Sequence, residues 1–428
     1  MPNNKVQKRS ADTSMYLTID TIFSILTNLP VKSLLRFKSV AISWNAIISD
    51  DKFKNIHHDQ SKVLCREKLL FKQRSTGHFE FRDLESPQLL PMEKQLSPLE
   101  RFKCEEIWCS CDGLVLLKDY NSYKDYVLWN PSTREYRILE SCPYLNNNDE
   151  YCMKACGMCY DSNLDDYKII LICDLFYVVY SLNKGRWAKK TSFPCPRVFY
   201  NNLCSRGTSI STKGCVFWSL TLNSISDRIY CSVPWNRPRI IYYDVKSDEV
   251  EQLPLPEFVR VRSLFGLTTL KDCPSLYGGT YINYELDIWI LEQDSWKWVM
   301  NVCNLPVPCT RFVDNINMWC SEIGDRIIFY GVSEEEFFIY YPKLKQFVNV
   351  LVPDKSKYYV IPKVAICLDS FYFPRRNIKE EATVMNNIDD VEDSRANTGD
   401  KSNFIQPRRS NRVKIPSKRL TGFVVEPG

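Results

Sequence analysis

The feature that most constrains the fold is a recurring unit of two short apolar runs around a polar turn. Its clear copies are 127-VLWNPSTREYRIL, 177-YVVYSLNKGRWAKK, 240-IIYYDVKSDEVEQL, 288-IWILEQDSWKWVM and 337-FFIYYPKLKQFVNV. They begin 50, 63, 48 and 49 residues apart, and a weaker copy, 69-LLFKQRSTGHFEFRDL, begins 58 residues before the first. Several copies follow another short run that glycine opens: 112-DGLVLL, 213-KGCVFW, 278-GGTYI and 324-GDRIIFY. Such periodicity predicts a fold built from one repeated supersecondary element.

The repeats occupy residues 64–370, where Gly, Pro, Asn, Asp and Ser turns separate short apolar or aromatic runs. A period near 50 residues, made of three or four short strands, is typical of a kelch-type β-propeller blade. Closing the blades into a ring removes long free strand edges. A β-sandwich with evenly spaced hairpins is the alternative. We therefore predict an all-β, kelch-like β-propeller for this region.

The preceding residues, 15–60, follow a helical period instead. Two apolar sets lie at the spacing of one helix face: Ile19, Ile22, Phe23 and Leu26, and then Val40, Trp44, Ile47 and Ile48. Pro30 ends the first helix and can begin the next. Two or three short helices bury too little surface to be stable by themselves. We expect a small all-α module that is stabilised by a partner or by the next domain. The whole chain is then an α+β multidomain protein.

The segment 17-LTIDTIFSILTNLPVKSLLRFKSVAISWNAIISDDKFKNIH resembles the F-box family along its whole length, and the plant branch in particular. The resemblance implies binding to a Skp-family adaptor and, through it, to a cullin scaffold. It assigns seven residues to the adaptor-binding face or to its support: Leu17, Leu29, Pro30, Leu34, Leu35, Val40 and Trp44. Apolar anchors of this kind enter a complementary groove on the partner.

Two positions depart from the family pattern. Leu17-Thr18 stands where the family usually has Leu-Pro, and Ala41-Ile42 stands where it usually has Cys-Lys before Ser-Trp. The first change removes a rigid helix start, although Thr18 can serve as the N-cap. The second removes one cation. Neither change deletes a large apolar anchor, so we expect adaptor binding that is weakened but not abolished.

The repeat region resembles the F-box-associated interaction domain of plant S-locus F-box and F-box/kelch proteins. The matching strings are 111-CDGLVLL, 128-LWNPSTREYRIL, 157-GMCYDSNLDDYKII, 179-VYSLNKGRW, 215-CVFW, 242-YYDVKSDEVEQLPLP and 288-IWILEQDSWKW. The resemblance implies a substrate-recognition subunit of a Skp–cullin–F-box ubiquitin ligase, which recruits a target protein for ubiquitination and degradation. Pollen recognition and control of immune or stress proteins use the same domains. An F-box-derived interaction module acting outside the ligase is the alternative.

Catalytic and cofactor sites are not expected. The sequence has no Gly-rich phosphate loop, nucleophile elbow or H-E-x-x-H motif, and its histidines are His57, His58 and His78. Cys152, Cys156 and Cys159 have the spacing of an iron–sulfur motif, but they lie on a predicted strand that splits them between two faces. Neither this trio nor Cys104, Cys109 and Cys111 completes a zinc site. We expect free thiols, no cofactor, no metal and a non-catalytic subunit.

Charge and the chain ends complete the prediction. The net charge of only +5 argues against a dedicated nucleic-acid binder. Residues 1–14 form a polar lead without a signal peptide, and no apolar run is long enough to span a membrane, so we expect a cytoplasmic or nuclear protein. Residues 375–428 are predicted to be a disordered charged tail. A basic group in this tail is a nuclear-import patch, an inert tail or an acquired extension: Arg408, Arg409, Arg412, Lys414, Lys418 and Arg419.

Overall fold

The structure is a computed structural model of the full chain, and its described residues lie between 17 and 375. Gaps in this description are residues 73–77, 85, 87–88, 90, 96–104, 120–125, 146–152, 174–175, 191–202, 206–208, 223–238, 257–263, 281–284, 294, 307–315, 321–325, 332–335 and 351–363. All described residues belong to one compact unit, Met1–Arg376. The predicted polar lead, the charged tail beyond Arg375 and its basic group lie outside the described residues.

Four short helices open the described chain: α1 (Ile19–Thr27), α2 (Val31–Phe37), α3 (Ile42–Ser49) and α4 (Asp51–Val63). Their shared core consists of Leu26, Val31, Leu34, Ile48 and Phe53, together with Phe371 from the far end of the chain. Asp50 begins α4, because its side chain accepts hydrogen bonds from the backbone N–H groups of Lys52 and Phe53. None of the described helices is long and apolar enough to cross a membrane.

Twenty-five strands follow in the described residues and form six antiparallel sheets, here called blades 1 to 6. Blade 1 contains β1 (Glu67–Lys72), β2 (Phe79–Asp83), β3 (Pro91–Gln95) and β25 (Val364–Leu368); blade 2 contains β4 (Glu105–Cys111), β5 (Leu114–Asp119), β6 (Tyr126–Trp129) and β7 (Tyr136–Ile138); blade 3 contains β8 (Met153–Asp161), β9 (Asp166–Cys173), β10 (Tyr177–Ser181) and β11 (Arg186–Lys190). Blade 4 contains β12 (Leu203–Ser205), β13 (Ile210–Thr212), β14 (Cys215–Leu222), β15 (Arg239–Asp244) and β16 (Glu249–Leu253); blade 5 contains β17 (Leu264–Leu270), β18 (Cys273–Thr280), β19 (Glu285–Glu292) and β20 (Ser295–Val302); blade 6 contains β21 (Ile316–Cys320), β22 (Ile327–Gly331), β23 (Glu336–Tyr341) and β24 (Gln346–Val350).

Blade 1 is built from both ends of the domain. Its strand order is β25-β1-β2-β3, so the last strand of the described residues takes the place that β4 takes in blade 2. The register pairs Glu67 with Leu368 and Leu70 with Ala365. A ring closed in this way leaves no inner strand of blade 1 unpaired.

Six apolar cores, one between each pair of neighbouring blades, complete the ring. Each core contains residues of both blades, for example Leu70 and Val115, Leu116 and Ile169, Ile170 and Val216, Phe217 and Leu276, Ile288 and Phe329, and Ile328 and Leu69. The last of these joins blade 6 back to blade 1. The propeller prediction is therefore confirmed, and the β-sandwich alternative is wrong.

The five clear sequence repeats are the outer hairpins of the blades, formed by the third and fourth strands. The weaker copy that begins at Leu69 covers β1 and β2, which are the second and third strands of blade 1. It matches poorly because it is a different hairpin of the blade. The glycine-opened runs also divide. Gly113 and Gly214 lie in hairpin turns at positive φ, whereas Gly278 lies inside β18.

We predict that Gly113→Ala destabilises the ring more than Gly214→Ala. Both glycines have positive φ, at +85° and +77°, so both substitutions carry a backbone cost of about 1 kcal/mol. A Cβ on Gly113 would also lie 2.5 Å from the backbone oxygen of Leu368, whereas one on Gly214 would meet a movable Val245 methyl at 2.9 Å. Urea unfolding should show a further loss of about 1–2 kcal/mol for Gly113→Ala. Equal losses would contradict the backbone clash.

Candidate functional site

The residues that the F-box resemblance assigned to adaptor binding divide into three groups in the structure. Leu17, Pro30, Leu35 and Val40 are exposed. Leu29 and Trp44 are half-buried and pack against the helical core. Leu34 is fully buried in that core, so of its two predicted roles it can only support the surface.

The exposed apolar residues lie on consecutive elements of a helical module in which two aromatic pairs join the helices. The Phe37 and Trp44 rings meet edge to face, with centroids 5.3 Å apart, and join α2 to α3. The Phe23 and Phe53 rings make a similar contact at 5.4 Å, which joins α1 to α4. Edge-to-face pairs fix side-chain geometry in addition to burying area. The helices therefore present their outer apolar side chains from a fixed support.

In α1 to α3, three further large apolar residues are exposed that were not assigned to the surface from the sequence: Ile19, Ile25 and Ile42. Periodicity placed Ile19 on the core face with Ile22 and Phe23, but it lies in the first turn beyond the core and is 72% exposed. Ile42 is 92% exposed at the start of α3. The available signal was its departure from the family pattern, because an isoleucine there extends an apolar surface.

Thr18 takes the place of the family's proline as the helix start. It adopts an extended backbone, and its hydroxyl accepts a hydrogen bond from the Thr21 N–H at 3.2 Å. The expectation that Thr18 serves as N-cap of α1 is therefore confirmed. By contrast, Ala41 and Pro30, which precede α3 and α2, offer no side-chain cap.

Two histidines of α4 lie behind this surface. His57 Nε2 lies 2.9 Å from the Leu29 carbonyl oxygen, and its ring stacks on Phe53. Burial lowers the pKa of His57. His58 Nδ1 lies 2.7 Å from the Ser370 hydroxyl oxygen, and burial lowers the pKa of His58 to about 4. Both rings are therefore neutral at pH 7 and join α4 to neighbouring segments.

Two of the cysteines that suggested a metal cluster, Cys156 and Cys159, lie on β8 but on opposite faces of the strand. Cys156 belongs to the core between blades 2 and 3, whereas Cys159 belongs to the core between blades 3 and 4. Cys152 and Cys104 lie outside the described residues. Burial raises the pKa of both Cys159 and Cys111, which disfavours the thiolate that binds metals. Within the described part of the chain, no group of three His, Cys, Asp or Glu side chains could hold a metal ion.

Comparisons with known proteins identify both parts of the chain. Residues 79–375 match the model of the F-box associated beta propeller domain, and residues 16–56 match the F-box domain. The chain belongs to the F-box-associated β-propeller family. An F-box/kelch-repeat protein of Arabidopsis thaliana is 28% identical over 68% of this chain and 80% of its own length.

More distant likenesses agree with this membership or add nothing to it. The Arabidopsis thaliana F-box protein CPR1 is 26% identical over 67% of this chain and 73% of its own length. Among solved structures, TolB from Acinetobacter baumannii has a TM-score of 0.40 at 11% identity, over 74% of this chain and 73% of TolB. Membership therefore rests on the sequence matches.

We predict that His58 makes the fold sensitive to mild acid. The folded-state pKa of about 4 lies below the ordinary value of 6.5, so the neutral ring is favoured in the folded state. The resulting stability is present above pH 6.5 and is lost as the pH falls toward 4. Denaturant unfolding should show that the unmodified chain loses about 2 kcal/mol more than His58→Gln between pH 7 and pH 5. Identical losses in the two proteins would refute this role.

Proposed function

We propose that this F-box protein is the substrate-recognition subunit of a Skp–cullin–F-box ubiquitin ligase. In this role the F-box binds a Skp-family adaptor, and through it a cullin, while the propeller holds a target protein. The observation that carries the proposal is the row of exposed apolar side chains on the F-box, above a core that is already complete. The family membership of both parts of the chain supports it.

The exposed row has the character of a protein interface. Leu35, Val40 and Ile42 follow one another within eight residues and are 40%, 60% and 92% exposed. Contiguous exposed apolar surface is uncommon on soluble monomers and marks interaction sites. Burial of each such side chain against a partner contributes roughly 1.5–3 kcal/mol before association costs. A complementary groove on another polypeptide therefore suits this surface.

The propeller presents its opposite end for the target. The F-box lies at the end where the first and second strands of a blade join, because Lys62 of α4 pairs with Asp112 in the β4–β5 turn at 2.9 Å. The connections between second and third strands, and between blades, leave from the other strand ends. Variable connections on a rigid scaffold are the usual sites of recognition. We place target binding there, although most residues of these connections lie outside the described part of the chain.

The mechanism that we propose is proximity. Holding a target on the same scaffold as a ubiquitin-charged enzyme raises the effective concentration of the target's lysines. The other subunits then supply the thioester and the transfer chemistry. This chain contributes binding and orientation.

A second candidate function is an interaction module that acts outside the ligase. It is motivated by the departures from the family pattern at Thr18, Ala41 and Ile42, where we expect adaptor binding to be weakened. Co-purification from cells separates the two functions. Recovery of adaptor and cullin supports the ligase, whereas recovery of other partners without them supports the module.

We predict that Leu35→Asp and Val40→Asp each weaken adaptor binding at least tenfold, about 1.4 kcal/mol or more. A carboxylate in an apolar contact loses hydration without gaining a partner. Since both side chains are exposed, the thermal midpoint should stay near that of the unmodified chain. Val63→Asp is the matched control, because Val63 is apolar and 74% exposed but lies at the end of α4. Calorimetric titration with purified adaptor measures the effect, and unchanged affinity in both variants would exclude this surface.

A further inference from the structure

The segment Asp369–Arg375, here called the strap, follows β25 directly and runs between the F-box and the propeller. Its residues contact both the F-box and the propeller, and they lie far in the sequence from the residues that they contact. We propose that the strap positions the adaptor-facing helix α2. This inference rests on the proposed function and adds positioning residues to it.

Asp369 joins α2 to blade 1 through one buried carboxylate. Its Oδ2 accepts a hydrogen bond from the Val31 N–H at 3.2 Å, across a sequence separation of 338 residues. Its Oδ1 lies 2.8 Å from Lys68 Nζ at the start of β1. Because Pro30 provides no side-chain cap, Asp369 supplies from a distance the capping carboxylate that α2 lacks.

Phe371 completes the core of the F-box. Its side chain is 3% exposed among Leu26, Leu34 and Phe53. Lys38, which follows α2, places its ammonium 5.0 Å from the Phe371 ring. A seven-residue helix is too short to persist by itself. Its order therefore depends on this packing and on the distant cap.

The propeller holds the strap from the other side. The Asn130 side-chain amide donates to the Ser370 and Tyr372 carbonyl oxygens at 3.0 and 2.8 Å. The Asp369 N–H donates to the Arg66 carbonyl oxygen at 2.7 Å. Tyr372 and Phe373 pack against the core between blades 2 and 3.

These contacts couple the ring to the F-box. The strap begins at the residue after β25, so it can occupy its place only when β25 is paired with β1. Asp369 and Phe371 then cap and support the helix that carries Leu35. The adaptor-facing surface is thus ordered by the closed ring, through the strap.

The test compares hydrogen–deuterium exchange and adaptor affinity in point variants of the full chain. Asp369→Ala and Phe371→Ala should each speed exchange in peptides covering α2 at least tenfold and weaken adaptor binding at least tenfold. Peptides from β9 and β19 should keep their exchange rates. Phe373→Ala is the matched control, because it removes the same group from the propeller side of the strap, and α2 exchange should stay within twofold.

Two outcomes would overturn the proposal. One is α2 exchange that is unchanged in both Asp369→Ala and Phe371→Ala. The other is a hydrogen–deuterium exchange rate that rises as much in the blade peptides as in α2, which indicates a general loss of stability. Asp369→Asn keeps an oxygen for the Val31 N–H and should recover part of the protection. Phe371→Leu replaces Phe371→Ala if that variant does not fold, with the same expected direction.

Exchange is measured without adaptor, so the two proposals fail separately. A full chain that does not bind adaptor refutes the proposed function. The exchange of α2 still decides whether the strap positions it.

Discussion

The pairing of β25 with β1 is the constraint on which the rest of the structure depends. It supplies the inner strand of blade 1 from the far end of the domain and thereby closes the ring. The same strand delivers Asp369 and Phe371 to the F-box. A chain that lacks this pairing has an open blade edge and, at the same time, an F-box core without one of its aromatic side chains.

The ring itself is stabilised in a distributed way. Each blade packs against two neighbours through separate apolar cores that contain large aromatic side chains such as Trp129, Trp218 and Phe329. Each apolar core lies between only one pair of blades. A change in one connection between strands therefore leaves the packing of the other blades in place. A scaffold of this kind can keep its fold while its connections are adapted to a particular target.

The F-box differs from the blades in its balance of buried and exposed apolar surface. Its four helices bury one small core, yet Leu35, Val40 and Ile42 remain in water. A module of this size has little hydrophobic stabilisation in reserve. It receives support from two outside sources: the strap on one side and, in the proposed ligase, the adaptor on the other. Exposed apolar residues that lower the stability of the isolated F-box then become favourable contacts in the proposed ligase.

The sequence by itself determined the parts of the protein that depend on neighbours within a few residues. The hairpin within each repeat, the helical spacing before Pro30 and the capping by Thr18 all follow from local stereochemistry. The F-box and the propeller were identified from these local patterns, from the recurrence of the hairpin about every 50 residues and from family resemblance. Tertiary structure alone decided whether an apolar residue of the F-box is buried in the core or exposed. Leu34 and Leu35 are adjacent in sequence, but one is buried and the other exposed, because packing of α2 against Phe53 and Phe371 sets its rotation. The cap of α2 by Asp369 was equally beyond the sequence, since contact between residues 338 apart exists only after the ring has closed.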